Sequence, residues 1–138
     1  KDFNSWDVCD QTCSELFAKS PLAWQKVVDW SKRDEEYVKR AAFALLASLA
    51  WHDKKADNKR FIELQPVIVQ ASTDERNFVR KAVNWALRNI GKRNTRLNRI
   101  AIDTARKIQK LNTKAARWIA SDSIRELESE AVRKRLGK

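Results

Sequence analysis

A tryptophan and an aspartate stand four residues apart at Trp6 and Asp10, inside Ser5-Trp6-Asp7-Val8-Cys9-Asp10. This stretch opens a helical pattern, so the two side chains share a face. A carboxylate and an indole π-face both stabilise positive charge, whether resident or developing in a reaction. Asp7 can serve the helix N-terminus electrostatically, but Asp10 sits too far in for that; taken alone, Asp10 reads as a surface carboxylate. A second tryptophan, Trp85, lies among cations. Successive residues of a helix turn by about 100°, so Val79, Val83, Ala86, Leu87 and Ile90 form an apolar stripe, with Lys81, Trp85, Arg88 and Lys92 on the opposite side. A core tryptophan is the ordinary alternative, but the buried stripe is already assigned. An indole held between cations can meet a sugar or base while its neighbours hold phosphates. Shifted back by 41 residues, the corresponding stripe is Arg40, Ala44, Ala47 and Trp51. One arginine followed by two small residues leaves room for a ligand against the helix, although Arg40 alone reads as a solvated charge.

Other chemistries find no residues to carry them. There is no nucleophilic Ser or Cys triad, no Gly-rich phosphate loop and no zinc-deaminase motif. Cys9 and Cys13 are four apart in a helical pattern, where a disulfide is geometrically awkward. With His52 the single histidine, a zinc site lacks ligands. Both cysteines read as reduced thiols packed like small apolar side chains in a cytosolic protein. No metal and no cofactor is expected, and the expected location is cytoplasmic.

Charge points to an anionic partner. The net charge is +11 over 138 residues, and thirteen basic residues against one acidic residue, Asp103, fall between Arg76 and Arg117. Concentrated along consecutive helices in this way, the cations are expected to make a phosphate-binding surface that includes Lys81, Arg88, Lys92 and Arg93.

The elements that must position these residues are helices. Two Gly and two Pro, with abundant Ala, Leu, Arg, Lys and Glu, favour helix over sheet. Ser20-Pro21 opens Leu22 to Lys32. Asp34 caps a helix running to about Trp51. Asp57 or Asn58 caps the next, which Pro66 bends or breaks. Thr73 or Asp74 begins a helix ending at Ile90, with Gly91 as its stop. Asn94 or Thr95 starts a helix to about Lys110, Asn112 or Thr113 one to about Glu128, and a short last helix follows Ser129. Short connections make neighbouring helices antiparallel. No apolar run approaches the roughly 20 residues of a membrane span, and no signal peptide shows. The chain begins on Lys1 rather than Met, so the expectation is one domain over residues 1–138, the C-terminal portion of something longer.

The chain also repeats itself. Tyr37-Val38-Lys39-Arg40-Ala41 aligns with Phe78-Val79-Arg80-Lys81-Ala82 at a shift of 41, and a weaker copy starts at Trp118-Ile119, a shift of 40 from Phe78. A period of about 40 to 47 residues with two or three helices per unit is the HEAT and armadillo signature. The fold expected is therefore all-α, with HEAT-like helical repeats stacked as an α-solenoid bearing an extended concave face.

Three segments, in order, resemble one family, the AlkD-like alkylpurine DNA glycosylases. They are Trp6-Asp7-Val8-Cys9-Asp10, Tyr37-Val38-Lys39-Arg40-Ala41-Ala42-Phe43 and Lys81-Ala82-Val83-Asn84-Trp85-Ala86-Leu87-Arg88. The resemblance weakens after about Asn112. It implies that Trp6, Asp10 and Trp85 contact the deoxyribose of an alkylated nucleotide and that Arg40 lies on the backbone. It further implies hydrolysis of the N-glycosidic bond of cationic N3- or N7-alkylpurines in double-stranded DNA, without flipping the base into a pocket, by a monomer. Two readings from other classes stand beside it. One is a non-catalytic HEAT-like module that binds structured or damaged DNA. The other is a protein-interaction solenoid, which has no use for an exposed Trp85.

Overall fold

The computed structural model describes residues 21–53 and 56–137. Trp6, Asp7, Cys9, Asp10, Cys13 and the Ser20 cap lie outside the described residues. Those described form eight helices and no strand: α1 (Pro21–Ser31), α2 (Glu36–His52), α3 (Asn58–Glu63), α4 (Gln65–Ala71), α5 (Asn77–Gly91), α6 (Thr95–Gln109), α7 (Lys114–Leu127) and α8 (Glu130–Arg135). Side-chain caps start several of them, as expected. Asp57, Asn94, Thr113 and Ser129 accept from the backbone N–H of Lys59, Leu97, Ala116 and Val132 respectively.

The helices stack in two layers. In one, α2 packs on α5 and α5 on α7; in the other, α1 packs on α4 and α4 on α6. Each second helix of a pair (α1–α2, α3/α4–α5, α6–α7) thus repeats once per 40 or so residues, which is the spacing of the Tyr37 and Phe78 segments. This is the all-α repeat architecture expected. Tyr37 and Phe78 are each the second residue of their helix, whereas Trp118 is the fifth residue of α7. The third copy therefore begins about one turn deeper, which is why its sequence match is weak.

Helix α2 is buried without interruption from Arg40 to Ala50. Its small residues Ala41, Ala42, Ala44, Ala47 and Ala50 let α1 and α5 approach on either flank, and Phe43, Leu45, Leu46 and Leu49 fill the space between. The expected open stripe of Arg40, Ala44, Ala47 and Trp51 is thus corrected over its first part: Arg40, Ala44 and Ala47 are at most 4 % exposed, while Trp51 is 42 % exposed and, with Ala47, borders an open concavity. An alanine-rich helix with leucine and phenylalanine on its other sides can be packed all round, and the periodicity does not separate that case from an exposed small-residue stripe.

Pro66 breaks the helix, as its missing N–H requires. The chain stops at Glu63 and restarts at Gln65. The Gln65 side chain donates to the Phe61 carbonyl at 2.8 Å and accepts from the Thr104 hydroxyl at 2.6 Å, so the break is satisfied internally and tied to α6.

Two helix starts and one stop differ from expectation. Asp34 does not cap α2, whose N-cap residue is Glu35. Asp74 does not cap α5, whose N-cap residue is Arg76. The Asp74 carboxylate is taken up elsewhere. It accepts from the Arg76 backbone N–H at 3.0 Å and from Arg76 Nη2 at 2.7 Å, and it receives Lys39 of α2 at 3.0 Å. Arg76 in turn donates to the Asp34 carbonyl at 2.8 Å. Neighbouring Glu75 reaches the other way and accepts from Ala115 N–H in the first turn of α7, where an anion is favoured. Gly91 is the last residue of α5 rather than a left-handed stop, since Gly137 is the described glycine with positive φ. It is needed for close approach: a Cβ there falls 2.6 and 2.7 Å from the two Leu127 methyls and 3.1 Å from Ala101 Cβ.

Gly91→Val is expected to destabilise the fold by about 1–3 kcal/mol through overpacking, read from urea denaturation midpoints. Asp74 tests the link between the first two pairs. The Arg76 hydrogen bond first, then that of Lys39, hold its carboxyl well below the usual carboxylate range against the opposing effect of burial. A depressed carboxyl stabilises the fold above its unfolded-state pKa, and that contribution is lost as pH falls through the lower, folded-state value. Asp74→Asn should therefore be less stable than wild type at neutral pH. The gap should narrow steadily below about pH 4, and a gap independent of pH would refute the assignment.

Candidate nucleic-acid interface

The α5 helix presents its two faces as the periodicity requires. Val79, Val83, Ala86, Leu87 and Ile90 are fully buried. Lys81 is exposed, while Trp85, Arg88 and Lys92 are partly buried. Trp85 packs against the edge of the core on one side. It also lines a concavity of about 340 Å³ with Asn89 and Lys92 from the α5 side and Ala47, Ser48, Trp51 and His52 from α2. It is therefore neither a core tryptophan nor one standing free in solvent: an indole edge is available between two helices, with a lysine beside it. A larger concavity of about 600 Å³ lies between α4 and α6, but Ile62, Pro66, Val69 and Ile100 make it mainly apolar, and no aromatic side chain lines it. The tryptophans and the cation make the α2–α5 concavity the candidate site. Among the described residues, no group of three His, Cys, Asp or Glu side chains could hold a metal ion.

The cations around this site are restrained by acids on α7. Arg88 Nη1 lies 2.7 Å from Glu126 Oε1, and Lys92 pairs with the other oxygen of the same carboxylate. Asp122, one turn earlier, accepts from Asn84 at 2.7 Å and from Arg125 at 2.8 Å, and lies 3.8 Å from Arg88 Nε. Burial raises the pKa of both acids, but the hydrogen bonds and charges of these partners outweigh it and hold both below their usual values. Asp122 and Glu126 were missed by the sequence reading. Their spacing puts them on one face of α7, a signal that could have been taken up, but the wheel does not show that this face meets Arg88.

Arg93 has a different use from the one expected. Its Nη1 donates to the carbonyls of Ala50 and Asp53 at 2.8 and 2.9 Å, and its Nη2 to that of Ala56 at 3.1 Å. Its guanidinium lies 4.4 Å from the Phe61 ring centroid. It ties the Ala50 carbonyl in the last turn of α2 to those of Asp53 and Ala56 just beyond the helix, and its pKa is lowered chiefly by burial. Arg40 is likewise enclosed, at 4 % exposure, with its guanidinium 5.4 Å from the Tyr37 ring centroid and 4.8 Å from that of Phe78.

The basic stretch does not form one surface. Consecutive helices alternate between layers, so Lys81, Arg88 and Lys92 belong to the α2–α5–α7 layer, while Arg96, Arg99, Arg106 and Lys107 are exposed on α6 in the other, with Lys110 at its C-terminal cap. Asp103 is on that same exposed face of α6.

Fold and site together define a helical-repeat protein with a basic, tryptophan-lined groove on one layer. A family model described as DNA alkylation repair enzyme matches residues 1–127, and the chain belongs to that family. The match includes the segment of Trp6 and Asp10 as well as α1 to α7. No curated protein and no solved structure matches the chain.

Glu126 sets how much charge α5 offers. Glu126→Gln should bind duplex DNA more tightly than wild type and steepen the logarithmic dependence of affinity on salt by about 0.9 for each of Lys92 and Arg88 that becomes free to meet a phosphate. An unchanged slope in anisotropy titrations would show that these two cations face away from the nucleic acid.

Proposed function

We propose that the protein is a DNA glycosylase that hydrolyses the N-glycosidic bond of positively charged N3- and N7-alkylpurines in double-stranded DNA, without drawing the base into a pocket. The observation that carries this reading is Trp85. It is an indole on the rim of a groove beside Lys92, within the Lys81-to-Arg88 segment that matches the family. A groove of about 340 Å³ that is open and shared between two helices suits contact with a sugar edge better than enclosure of a flipped base.

The chemistry asks little of the protein. A cationic alkylpurine is already a good leaving group. As its bond to C1′ breaks, the electron pair goes to the purine, which departs neutral, and positive charge spreads over the sugar. A water oxygen bonds to C1′ and releases its proton to solvent, leaving an abasic site. Asp10 and the π-faces of Trp6 and Trp85 stabilise the positive charge on the sugar, and Asp10 orients the water. Lys81, with Arg88 and Lys92 released in part from Glu126, holds phosphates. Arg40 and Arg93 have structural parts in this proposal: one is stacked between Tyr37 and Phe78, the other donates to the carbonyls of Ala50, Asp53 and Ala56.

Near a DNA backbone an anion raises the energy of the bound state. Asp10 earns its place only if it meets charge that appears during reaction, since interactions stronger in the transition state are the ones that accelerate the chemical step. Asp10→Asn keeps the shape and removes the charge. It should bind alkylated duplex as well as wild type or better, yet excise N7-methylguanine roughly 10²-fold more slowly in single turnover. Trp85→Ala should lose both excision and some binding, because contact area goes with the π-face. Wild-type excision by Asp10→Asn would make the non-catalytic DNA-binding module the better account.

A further inference from the structure

A second concavity adjoins the first. It measures about 230 Å³ and is lined by Trp51, Asn89, Lys92, Arg93, Asn94 and Arg135, among other residues. Trp51, Asn89 and Lys92 line both concavities, so the two adjoin, and the lining runs from Trp85 past Lys92 and Trp51 to Arg135. No acid lines this second part; two carboxylates act on cations that do, Glu126 on Lys92 and Asp53 on Arg93. The family match ends at residue 127, ahead of α8, which carries Arg135.

The cations differ in what they have left to offer. Lys92 is paired with Glu126, and Arg93 donates to three backbone carbonyls. Arg135 is exposed and has no acid within ion-pair distance among the described residues. Its guanidinium lies 4.8 Å from the Trp51 ring centroid, and Trp51 is itself 42 % exposed. A guanidinium supported on an indole keeps its N–H groups for a partner and loses less freedom on meeting one. The helix that carries it is anchored, since Val132 is 6 % exposed and the Ser129 hydroxyl accepts from Val132 N–H. An indole-supported arginine at the open end of an acid-free polar cleft suits a phosphodiester, which accepts two parallel N–H bonds from the fork.

We propose that Arg135, supported by Trp51, is a phosphate contact for the DNA backbone, extending the binding track past Trp85 onto the C-terminal helix. This rests on the DNA-binding part of the proposed function and assigns a site outside the residues on which that reading stands. The test is anisotropy titration of a short unmodified duplex over a range of salt, with wild type, Arg135→Ala, Arg135→Lys and Trp51→Leu. Arg135→Ala should bind roughly tenfold more weakly at low salt and have a salt slope shallower by about 0.9. Arg135→Lys should keep the slope, because the charge remains, yet lose part of the affinity with the fork. Trp51→Leu should weaken binding with the slope retained. Wild-type affinity and slope for Arg135→Ala, or weaker binding with no change of slope, overturn the proposal and leave the DNA reading intact. Absence of salt-dependent duplex binding by wild type overturns the DNA reading and this proposal together.

Discussion

Helix α2 is buried from Arg40 to Ala50, with Ala47 and Ser48 bordering the groove, and the stack is organised around that constraint. A helix buried on every side must offer small residues where its neighbours come close and large ones where they diverge. Alanines at five positions of this run provide the first, and Phe43 with three leucines the second. Helix α5, which packs on it, is amphipathic instead. It keeps one face for the core and one for the groove, so the groove exists because α2 supplies a rigid inner wall and α5 only half a helix of apolar surface.

Polar ties between pairs follow the same spacing. Lys39 to Asp74, Asn89 to the Ala47 carbonyl, Arg93 to the end of α2, Thr104 to Gln65 and Glu75 to the start of α7 each span 35 to 43 residues. Each links one helix pair to the next, as expected of a stack whose units touch only their neighbours. Several satisfy groups that hydrophobic packing alone leaves costly: the Ala47 carbonyl is reached by a buried asparagine, and the carbonyls of Ala50, Asp53 and Ala56 by a partly buried arginine. Burying these groups without partners would cost more than their bonds contribute.

Electrostatically, the large excess of lysine and arginine is not a uniform field. Some cations are structural, as Arg76, Arg93 and Arg40 are. Others are held by carboxylates on the next helix, as Arg88 and Lys92 are by Glu126. Those with no acid within ion-pair distance among the described residues include Lys81 on α5, Arg135 on α8, and Arg96, Arg99 and Lys107 on α6, so the charge on offer is smaller and more directional than the net value suggests. Pairing at Glu126 keeps two long side chains ordered beside Trp85 while lowering the charge they present.

Much of this was legible in the residues themselves. Helix content, the break at Pro66, the caps at Asp57, Asn94, Thr113 and Ser129, the 41-residue shift and the apolar stripe of α5 all rest on local chemistry: propensity, a missing N–H, a side-chain acceptor, or a 100° period. The segments Trp6 to Asp10, Tyr37 to Phe43 and Lys81 to Arg88 likewise sufficed to indicate the family. Contacts between helices were not legible, because a helical wheel shows which residues share a face but not what that face meets. The same phase that turned Trp85 toward a groove turned Arg88 toward Glu126. An alanine stripe read as open room proved to be packing surface, Asp74 left its expected cap to bind Lys39 and Arg76 across the pair, and Gly91 was required by Leu127, 36 residues away in the chain. Local structure follows from energies decided within a few residues. Which cations stay free and which arginines become struts is decided only when layers of helices 35 to 43 residues apart come within hydrogen-bonding distance.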